Sequence, residues 1–431
     1  MCGIICVVSR PSARPLPLAA DILDALDRAI AAGTAGNIAE SGRLVGEADT
    51  SLRGESGLGT LIDNVALVTG LVSRVDQLDA LAAGAELQLE SESGLPTREV
   101  ERRSNELIAL RDATWSLRND RLRTAKAVGE LAGKDASASA RNAYLSIQQA
   151  FSALDRMEVR GRDSAGVNVL VWGHGLDVSD KRVAPLLAGR LDDALFTNGS
   201  VRVGAGNRAW SFVYKAAAEI GELGDNTRAM RTTVANDALL RLLVNQPGAR
   251  VSILGHTRWA SVGIISEPNA HPVNSEEVGG NSAAPFMLAA LNGDVDNHAE
   301  IKVRNGLQIA EPITTDAKVI PTVVARKNAA GMSLVDSFRE TVAEFEGSVA
   351  IAVASADEPN SMMLALRGSG QGLYVGIAED RFIVASEPYG VVEETLHYVR
   401  MDGESLADAN NPSSRGQVIA LDGDNAGTLA G

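Results

Sequence analysis

The sequence has few of the residues that crosslink small domains or cross membranes. Among its 431 residues there are two cysteines, Cys2 and Cys6, and no apolar run approaches the roughly 20 residues that a membrane-spanning helix needs. Two cysteines so close together on one predicted strand do not make a disulfide framework, which favours a reducing compartment. We therefore expect a cytoplasmic protein with no signal peptide and no membrane partner.

Basic side chains are also fewer than acidic ones. The chain has 40 lysines and arginines against 55 aspartates and glutamates, a formal net charge of −15. Nucleic-acid binding needs a positive surface that follows the phosphate backbone. We therefore expect no nucleic-acid partner.

Hydrophobic periodicity predicts helices through much of the chain and strands near its two ends. Residues 4–8 form an apolar run typical of a buried strand, and residues 65–131 predict a helical hairpin, either a solvated insertion or a docking arm. Residues 33–61 predict an irregular connection. From residue 347 onward, short apolar runs between turns predict antiparallel strands. This distribution favours a layered α+β fold.

Cys2 becomes the first residue of the chain once the initiator methionine is removed. Its thiol and a free α-amine then lie on one residue. The amine titrates near pH ~7.7–8.0, so it can accept the thiol proton. This is the pairing of nucleophile and base that acyl transfer requires. The alternative is an unreactive thiol at a frayed terminus.

Histidine and glycine clusters do not predict a metal or phosphate site. His256, His271 and His298 are three of the 5 histidines, but they lack the close pairwise spacing of zinc ligands. We expect them to cap turns, and we expect no metal and no cofactor. The run Gly368-Ser369-Gly370-Gln371-Gly372 is not followed by Lys-Ser/Thr or a helix, so it predicts a hairpin turn rather than a phosphate loop.

Several short motifs resemble those of one enzyme family in both residue identity and order along the chain. They are Met1-Cys2-Gly3-Ile4, Arg160-Gly161-Arg162-Asp163-Ser164-Ala165-Gly166, Gly255-His256-Thr257-Arg258-Trp259-Ala260, Asn269-Ala270-His271-Pro272 and Asn292-Gly293. This set resembles the glutaminase domain of the class II glutamine amidotransferases, which are N-terminal-nucleophile hydrolases, and within them the glucosamine-6-phosphate synthases.

The resemblance implies a particular architecture. It is a four-layer αββα sandwich with two largely helical insertions, in an amidotransferase domain spanning residues 1–405. The insertions fall at about residues 10–140, which include the helical hairpin, and about 173–249. Residues 406–431 are expected to form a linker-like tail.

The resemblance also implies catalytic roles. Cys2 would attack the side-chain amide of glutamine. Asn292 and Gly293 would donate hydrogen bonds to the oxyanion that forms. Arg160 matches an arginine that lies near the nucleophile and helps to order the site.

Four further residues would bind the substrate. Arg258 suits the α-carboxylate of glutamine through its planar fork, and Asp316 suits the α-ammonium group. Trp259 and Ser261 fall where the family lines the glutamine pocket.

The implied reaction releases glutamate and ammonia from glutamine. The ammonia would aminate fructose-6-phosphate to glucosamine-6-phosphate on a sugar-phosphate isomerase-type acceptor domain, in cis or in trans, which the residues after 405 do not supply. Ser261, Val262 and Leu291 differ from the residues usual at these positions in the synthases. Two alternatives therefore stay open: a stand-alone glutaminase or amidase, and a catalytically quiet glutamine-sensing or scaffold subunit. Homo-oligomerisation also stays open.

Overall fold

Two parts of the chain make most of their contacts within themselves in the computed structural model. Unit 1 comprises Met1–Arg10 and Asp135–Gly431, and unit 2 comprises Pro11–Lys134. The structure describes residues 2–217, 222–280, 284–406, 408–411 and 414–428, and of Arg160 it describes the backbone alone.

Unit 2 is a bundle of helices. α1 packs against α2 and α4, and α2 packs against α5. A π-helical turn, Leu117–Leu122, joins the last two helices. The helices are α1 (Ala19–Thr34), α2 (Ile38–Ser51), α3 (Gly54–Leu61), α4 (Val65–Ser91), α5 (Thr97–Ser116) and α6 (Arg123–Ala132).

The predicted irregular connection at residues 33–61 is wrong, because α2 and α3 occupy most of it. Glycine and serine lower the helix propensity of this stretch, but packing of an apolar face outweighs propensity. Leu44, Val45 and Ala48 are buried on that face. The side chain of Asn37 caps α2 by accepting a hydrogen bond from the Glu40 N–H at 3.2 Å.

Among the described residues, no single helix is both long and apolar enough to cross a membrane. The helices α3 and α4 reach the required length and composition only together, across a bend of 102°.

Unit 1 contains an eight-stranded and a five-stranded sheet within its described residues, and the strand pairs in both are antiparallel. The strands are β1 (Gly3–Ser9), β2 (Ser164–Trp172), β3 (Val201–Val203), β4 (Ala209–Ala217), β5 (Arg250–Arg258), β6 (Val273–Asn274), β7 (Met287–Gly293), β8 (Val349–Ser355), β9 (Ser361–Arg367), β10 (Tyr374–Ile377), β11 (Arg381–Ala385), β12 (Tyr398–Arg400) and β13 (Gln417–Asp422). The larger sheet has the order β12-β10-β11-β1-β5-β2-β4-β3, and the smaller has β13-β9-β8-β7-β6.

Apolar side chains from both sheets form one buried core, to which Ile4 and Val8 of β1 and Leu288 of β7 belong. The helices of unit 1 are α7 (Ala138–Met157), α8 (Ala184–Leu187), α9 (Asp225–Asn236), α10 (Ala238–Val244), α11 (His298–Arg304), α12 (Val319–Ala329) and α13 (Leu334–Ala343). α7 packs against β1 and β5, and α12 packs against β7. Mixed helices and antiparallel sheets confirm the α+β class.

Two stretches of unit 1 differ from their predictions. Residues 173–249 are not only helical, because β4 pairs with β2 from Ala209↔Trp172 to Ala217↔Ser164 and so extends the larger sheet. Residues 406–431 do not form only a linker, because β13 pairs with β9. The apolar side chain of Leu421 is buried in the core between the sheets, which explains why this strand forms.

The glycine-rich run at residues 368–372 is not a hairpin turn. It connects β9 to β10, and these strands belong to different sheets.

Candidate active site

The central strand β1 holds Cys2 at its beginning. β1 lies between β5 and β11, with Gly3 opposite Thr257 and Ile5 opposite Ala385. A Cβ atom at Gly3 would lie 2.9 Å from Met157 Cβ, closer than real Cβ contacts, so β1 needs glycine there. The pairing on both sides fixes the backbone that carries the thiol.

The Cys2 thiol lies against the backbone that follows β5. The N–H of Trp259 donates to Cys2 Sγ at 3.2 Å, and Sγ lies 3.4 Å from the Trp259 carbonyl oxygen. Burial raises the pKa of the Cys2 thiol, and the Trp259 hydrogen bond and the Arg258 charge oppose that rise. Because the thiol is protonated near neutral pH, forming the thiolate needs a base. The α-amine of Cys2 is free to be that base only after Met1 is removed.

Asn292 and Gly293 end β7 beside Cys2. Asn292 Nδ2 donates to the Cys2 carbonyl oxygen at 3.1 Å and to Ser386 Oγ at 2.7 Å. Both amide hydrogens are therefore bonded, and donation to a substrate oxygen requires one of them to be shared. Gly293 has φ +91°, and a Cβ atom there would overlap the carbonyl oxygen of Ser348. Only glycine fits this position.

Arg258 is buried at the end of β5, with its guanidinium directed at the segment that follows. Nη1 donates to the Ile264 carbonyl oxygen at 3.2 Å, and Nη2 donates to that of Val262. Burial lowers the pKa of Arg258, while nearby Asp316 opposes the shift. Arginine remains cationic under such shifts. Two of its N–H groups are engaged by backbone, so a carboxylate would have to use the others or displace residues 262–264.

Asp316 is buried just before α12. Its carboxylate accepts hydrogen bonds from the Val295 N–H at 2.8 Å and the Ala317 N–H at 3.0 Å. Burial raises the pKa of Asp316, and the Val295 hydrogen bond opposes that rise. An aspartate held in this way can accept a cationic group without changing its own orientation.

The other predicted site residues have varied surroundings. Trp259, whose backbone bonds Cys2, is 56% exposed. Ser261 Oγ donates to Asp294 Oδ1 at 2.7 Å. Arg160 ends a 3₁₀ turn, Glu158–Arg160, and its side chain lies outside the described part of the chain.

Asp163 belongs to the Arg160-to-Gly166 motif, but no role was predicted for this residue from the sequence. Its N–H donates to the Arg258 carbonyl oxygen at 3.1 Å, and its carboxylate accepts from the Ala260 N–H at 2.9 Å. It therefore holds the backbone on both sides of Trp259.

Sequence reasoning also missed a buried polar group behind Asn292. His256 Nε2 lies 3.0 Å from Asn292 Oδ1, and the His256 ring lies 4.5 Å from that of His271. His271 Nε2 lies 3.1 Å from Thr315 Oγ1. We predicted that all three histidines cap turns. This is wrong for His256 and His271, whereas His298 begins α11. The available signal was a histidine shortly after the apolar pair Ile253-Leu254, within a strand that is buried along most of its length.

Within the described residues, no group of three or more His, Cys, Asp or Glu side chains is arranged to hold a metal ion.

Comparison with known proteins gives partial matches. No family model matches the chain. Over 164 residues it is 30% identical to glutamine–fructose-6-phosphate aminotransferase [isomerizing] of Bacillus thuringiensis subsp. konkukian, covering 38% of this chain and 26% of that protein. The protein of the same name from Gloeobacter violaceus is 34% identical over 157 residues, covering 35% and 24%. The chain thus spans about a quarter of the length of these curated relatives.

Two solved structures are similar at lower identity. One, described as the allosteric regulatory enzyme of purine biosynthesis, has 19% identity, a TM-score of 0.39, and coverage of 59% of this chain and 42% of that one. The other, glutamine phosphoribosylpyrophosphate amidotransferase from B. subtilis, has 18% identity, a TM-score of 0.37, and coverage of 59% and 44%. The curated relatives confirm the resemblance to the class II glutamine amidotransferases that the motifs predicted.

Proposed function

We propose that this chain hydrolyses the side-chain amide of glutamine to glutamate and ammonia, with Cys2 as its N-terminal nucleophile. The observation that carries the proposal is the 3.1 Å hydrogen bond from Asn292 Nδ2 to the Cys2 carbonyl oxygen, which joins residues 290 positions apart. The names of the curated relatives, which contain glutamine and aminotransferase, support it.

The proposed reaction uses both functional groups of Cys2. The α-amine takes the thiol proton, Sγ forms a bond to the amide carbon, and the carbonyl oxygen becomes an oxyanion. The Asn292 side-chain amide and the Gly293 N–H donate to that oxyanion. The proton on the amine then passes to the leaving nitrogen, the carbon–nitrogen bond breaks and ammonia departs. Water hydrolyses the thioester, releasing glutamate and restoring the thiol.

Selectivity for glutamine would come from its two charged α-groups. Arg258 would bind the α-carboxylate with the N–H groups that loop carbonyls do not use. Asp316 would bind the α-ammonium group. Trp259 and Ser261 would line the pocket, and Arg160 would help to order the nucleophile.

The fold and the fate of the ammonia are part of the same proposal. Residues 1–405 together with β13 would form a four-layer αββα amidotransferase domain, with insertions at about residues 10–140 and 173–249. The ammonia would aminate fructose-6-phosphate to glucosamine-6-phosphate in the cytoplasm, on an isomerase-type acceptor domain in cis or in trans. The words fructose-6-phosphate and isomerizing in the relatives' names support this acceptor.

The test is a glutaminase assay on the full chain, with loss of Met1 verified by mass spectrometry. Wild type should release glutamate and ammonia in equal amounts, and Cys2→Ala should lose this activity by several orders of magnitude, because the nucleophile and its base act as a unit. Cys6→Ala is the matched control, since Cys6 lies fully buried in the core between the sheets. If processed wild type releases neither product, both enzyme hypotheses fail and the sensor or scaffold alternative remains.

A further inference from the structure

Two buried side chains contact the Asn292 side-chain amide, His256 at its oxygen and Ser386 at its nitrogen. His256 is 0% exposed, Asn292 2% and Ser386 3%. His256 Nε2 is 3.0 Å from Asn292 Oδ1, and Ser386 Oγ is 2.7 Å from Asn292 Nδ2. We infer that His256 and Ser386 are positioning residues that fix the direction of the Asn292 amide, so that its nitrogen is presented to the oxyanion. This inference rests on the proposed glutaminase function.

The backbone of Cys2 determines which way the amide points. A carbonyl oxygen can only accept hydrogen bonds, so the Asn292 atom that faces the Cys2 carbonyl must be the nitrogen. The amide oxygen then faces His256. Because an amide oxygen can only accept, His256 must donate from Nε2.

Of the two neutral tautomers of His256, only the one protonated on Nε2 can hold this arrangement. Burial lowers the pKa of His256 to about 3, and the Arg258 charge acts in the same direction. The ring is therefore neutral near pH 7, with its single proton on Nε2 and none on Nδ1. Burial also lowers the pKa of His271 well below its usual value. The His271 ring packs against the His256 ring and adds no charge.

Ser386 supports the opposite edge of the amide. Its Oγ accepts from the Ile4 N–H at 2.9 Å as well as from Asn292 Nδ2, so it links the amide to the backbone of β1. A reversed amide would turn its oxygen toward the Cys2 carbonyl and its NH₂ toward the Nε2–H of His256. Both contacts would be repulsive, and reversal would leave buried groups unpaired.

Kinetics of His256→Leu and His256→Gln in the full chain test the role of the donor. Leucine fills similar space without a donor, and we expect kcat to fall about tenfold to a hundredfold, less than the ~10²–10³ for loss of an oxyanion donor itself. KM for glutamine should stay within about threefold, because the effect arises in the transition state. Glutamine at position 256 offers an N–H near the place of Nε2 and should restore most of kcat.

The control is His174→Leu, which removes another buried histidine, packed edge-on against Trp210. It should leave kcat unchanged. An unchanged kcat in His256→Leu, an effect confined to KM, or no recovery in His256→Gln would overturn the inference. If His256→Leu does not fold, Ser386→Ala replaces it and should also lower kcat at constant KM.

A second measurement does not depend on glutaminase activity. In wild-type protein with ¹⁵N-labelled histidine, NMR should show the His256 ring neutral at pH 7 with its proton on Nε2. A ring protonated on Nδ1 would require the opposite amide direction and would refute the inference. If wild type cleaves no glutamine while the Nε2–H tautomer is present, the proposed function fails and the orientation of Asn292 stands.

Discussion

The substitution Gly293→Ala tests both the backbone conformation of Gly293 and its proposed role as an oxyanion donor. Gly293 ends β7 with φ +91°, opposite Val349 of β8. Its N–H is the proposed second oxyanion donor. An added methyl group would meet the carbonyl oxygen of Ser348, far inside the 3.0 Å below which real Cβ atoms essentially never lie.

The expected loss of stability has two parts. A left-handed backbone conformation costs a residue with a Cβ atom about 1–3 kcal/mol. Relieving the overlap requires β7 and β8 to separate, and such overpacking costs about 1–3 kcal/mol more. Together these give roughly 2–6 kcal/mol, and for a large domain each kcal/mol lowers Tm by about 2–4 °C. The same separation displaces the donor, and a misplacement of about 1 Å can lower kcat about 10²-fold.

The assay compares Gly293→Ala with Gly331→Ala by thermal unfolding and by glutamine hydrolysis. Gly331 has φ +99°, and no heavy atom lies within 4 Å of a Cβ atom built there, so its substitution carries the conformational cost alone. Gly293→Ala should be less stable than Gly331→Ala, and it alone should lose kcat. If the two variants unfold alike, or if Gly293→Ala keeps wild-type kcat, the assigned close approach and donor role are wrong.

Two further predictions concern buried polar groups. Because the folded pKa of His256 is about 3 and its ordinary value is 6.5, the unfolded state binds the extra proton between these values, so this contribution to stability is complete above pH 6.5 and is lost as pH falls. Between pH 6.5 and 4.5 the free energy of unfolding of His256→Gln should therefore fall by about 2–3 kcal/mol less than that of wild type, as measured by denaturant unfolding. An equal dependence of the two unfolding free energies on pH would contradict the buried neutral ring. The Asp237 carboxylate accepts hydrogen bonds from Arg190 at 2.6 Å and from the Tyr214 hydroxyl at 2.8 Å. Asp237→Ala should leave the largely buried Arg190 guanidinium without its carboxylate partner and lower the free energy of unfolding in urea by about 3–5 kcal/mol. An unchanged urea midpoint would refute this.

Sequence patterns predicted the parts of the site in which chemistry restricts residue type. Residue identity and order were enough to nominate Cys2 and the Asn292-Gly293 pair for the proposed catalytic roles, and the structure places Asn292 Nδ2 3.1 Å from the Cys2 carbonyl oxygen. The geometry between them comes from the packing of the larger sheet, which contains β1, against the smaller sheet, which contains β7. Apolar runs indicated that these strands are buried, but they could not indicate how the two sheets pack.

The direction of the Arg258 guanidinium could not be predicted in this way. It depends on where the carbonyl groups of Val262 and Ile264 point, which is a property of the local backbone path. The role of His256 was missed for a related reason. Its partner lies 36 residues away on a strand of the other sheet, and only the packing of the two sheets brings them together.

The position of β1 between β5 and β11 also has a consequence for the order of events during synthesis. β1 precedes its partners in the chain: Asn292 follows Cys2 by 290 residues and Ser386 follows Ile4 by 382. The contacts of Cys2 with Asn292 and of Ile4 with Ser386 therefore cannot form until these distant residues have been synthesised. Removal of Met1 can precede the closing of the sheet around β1. Under the proposed function, a nascent chain that stops short of Asn292 would lack both oxyanion donors.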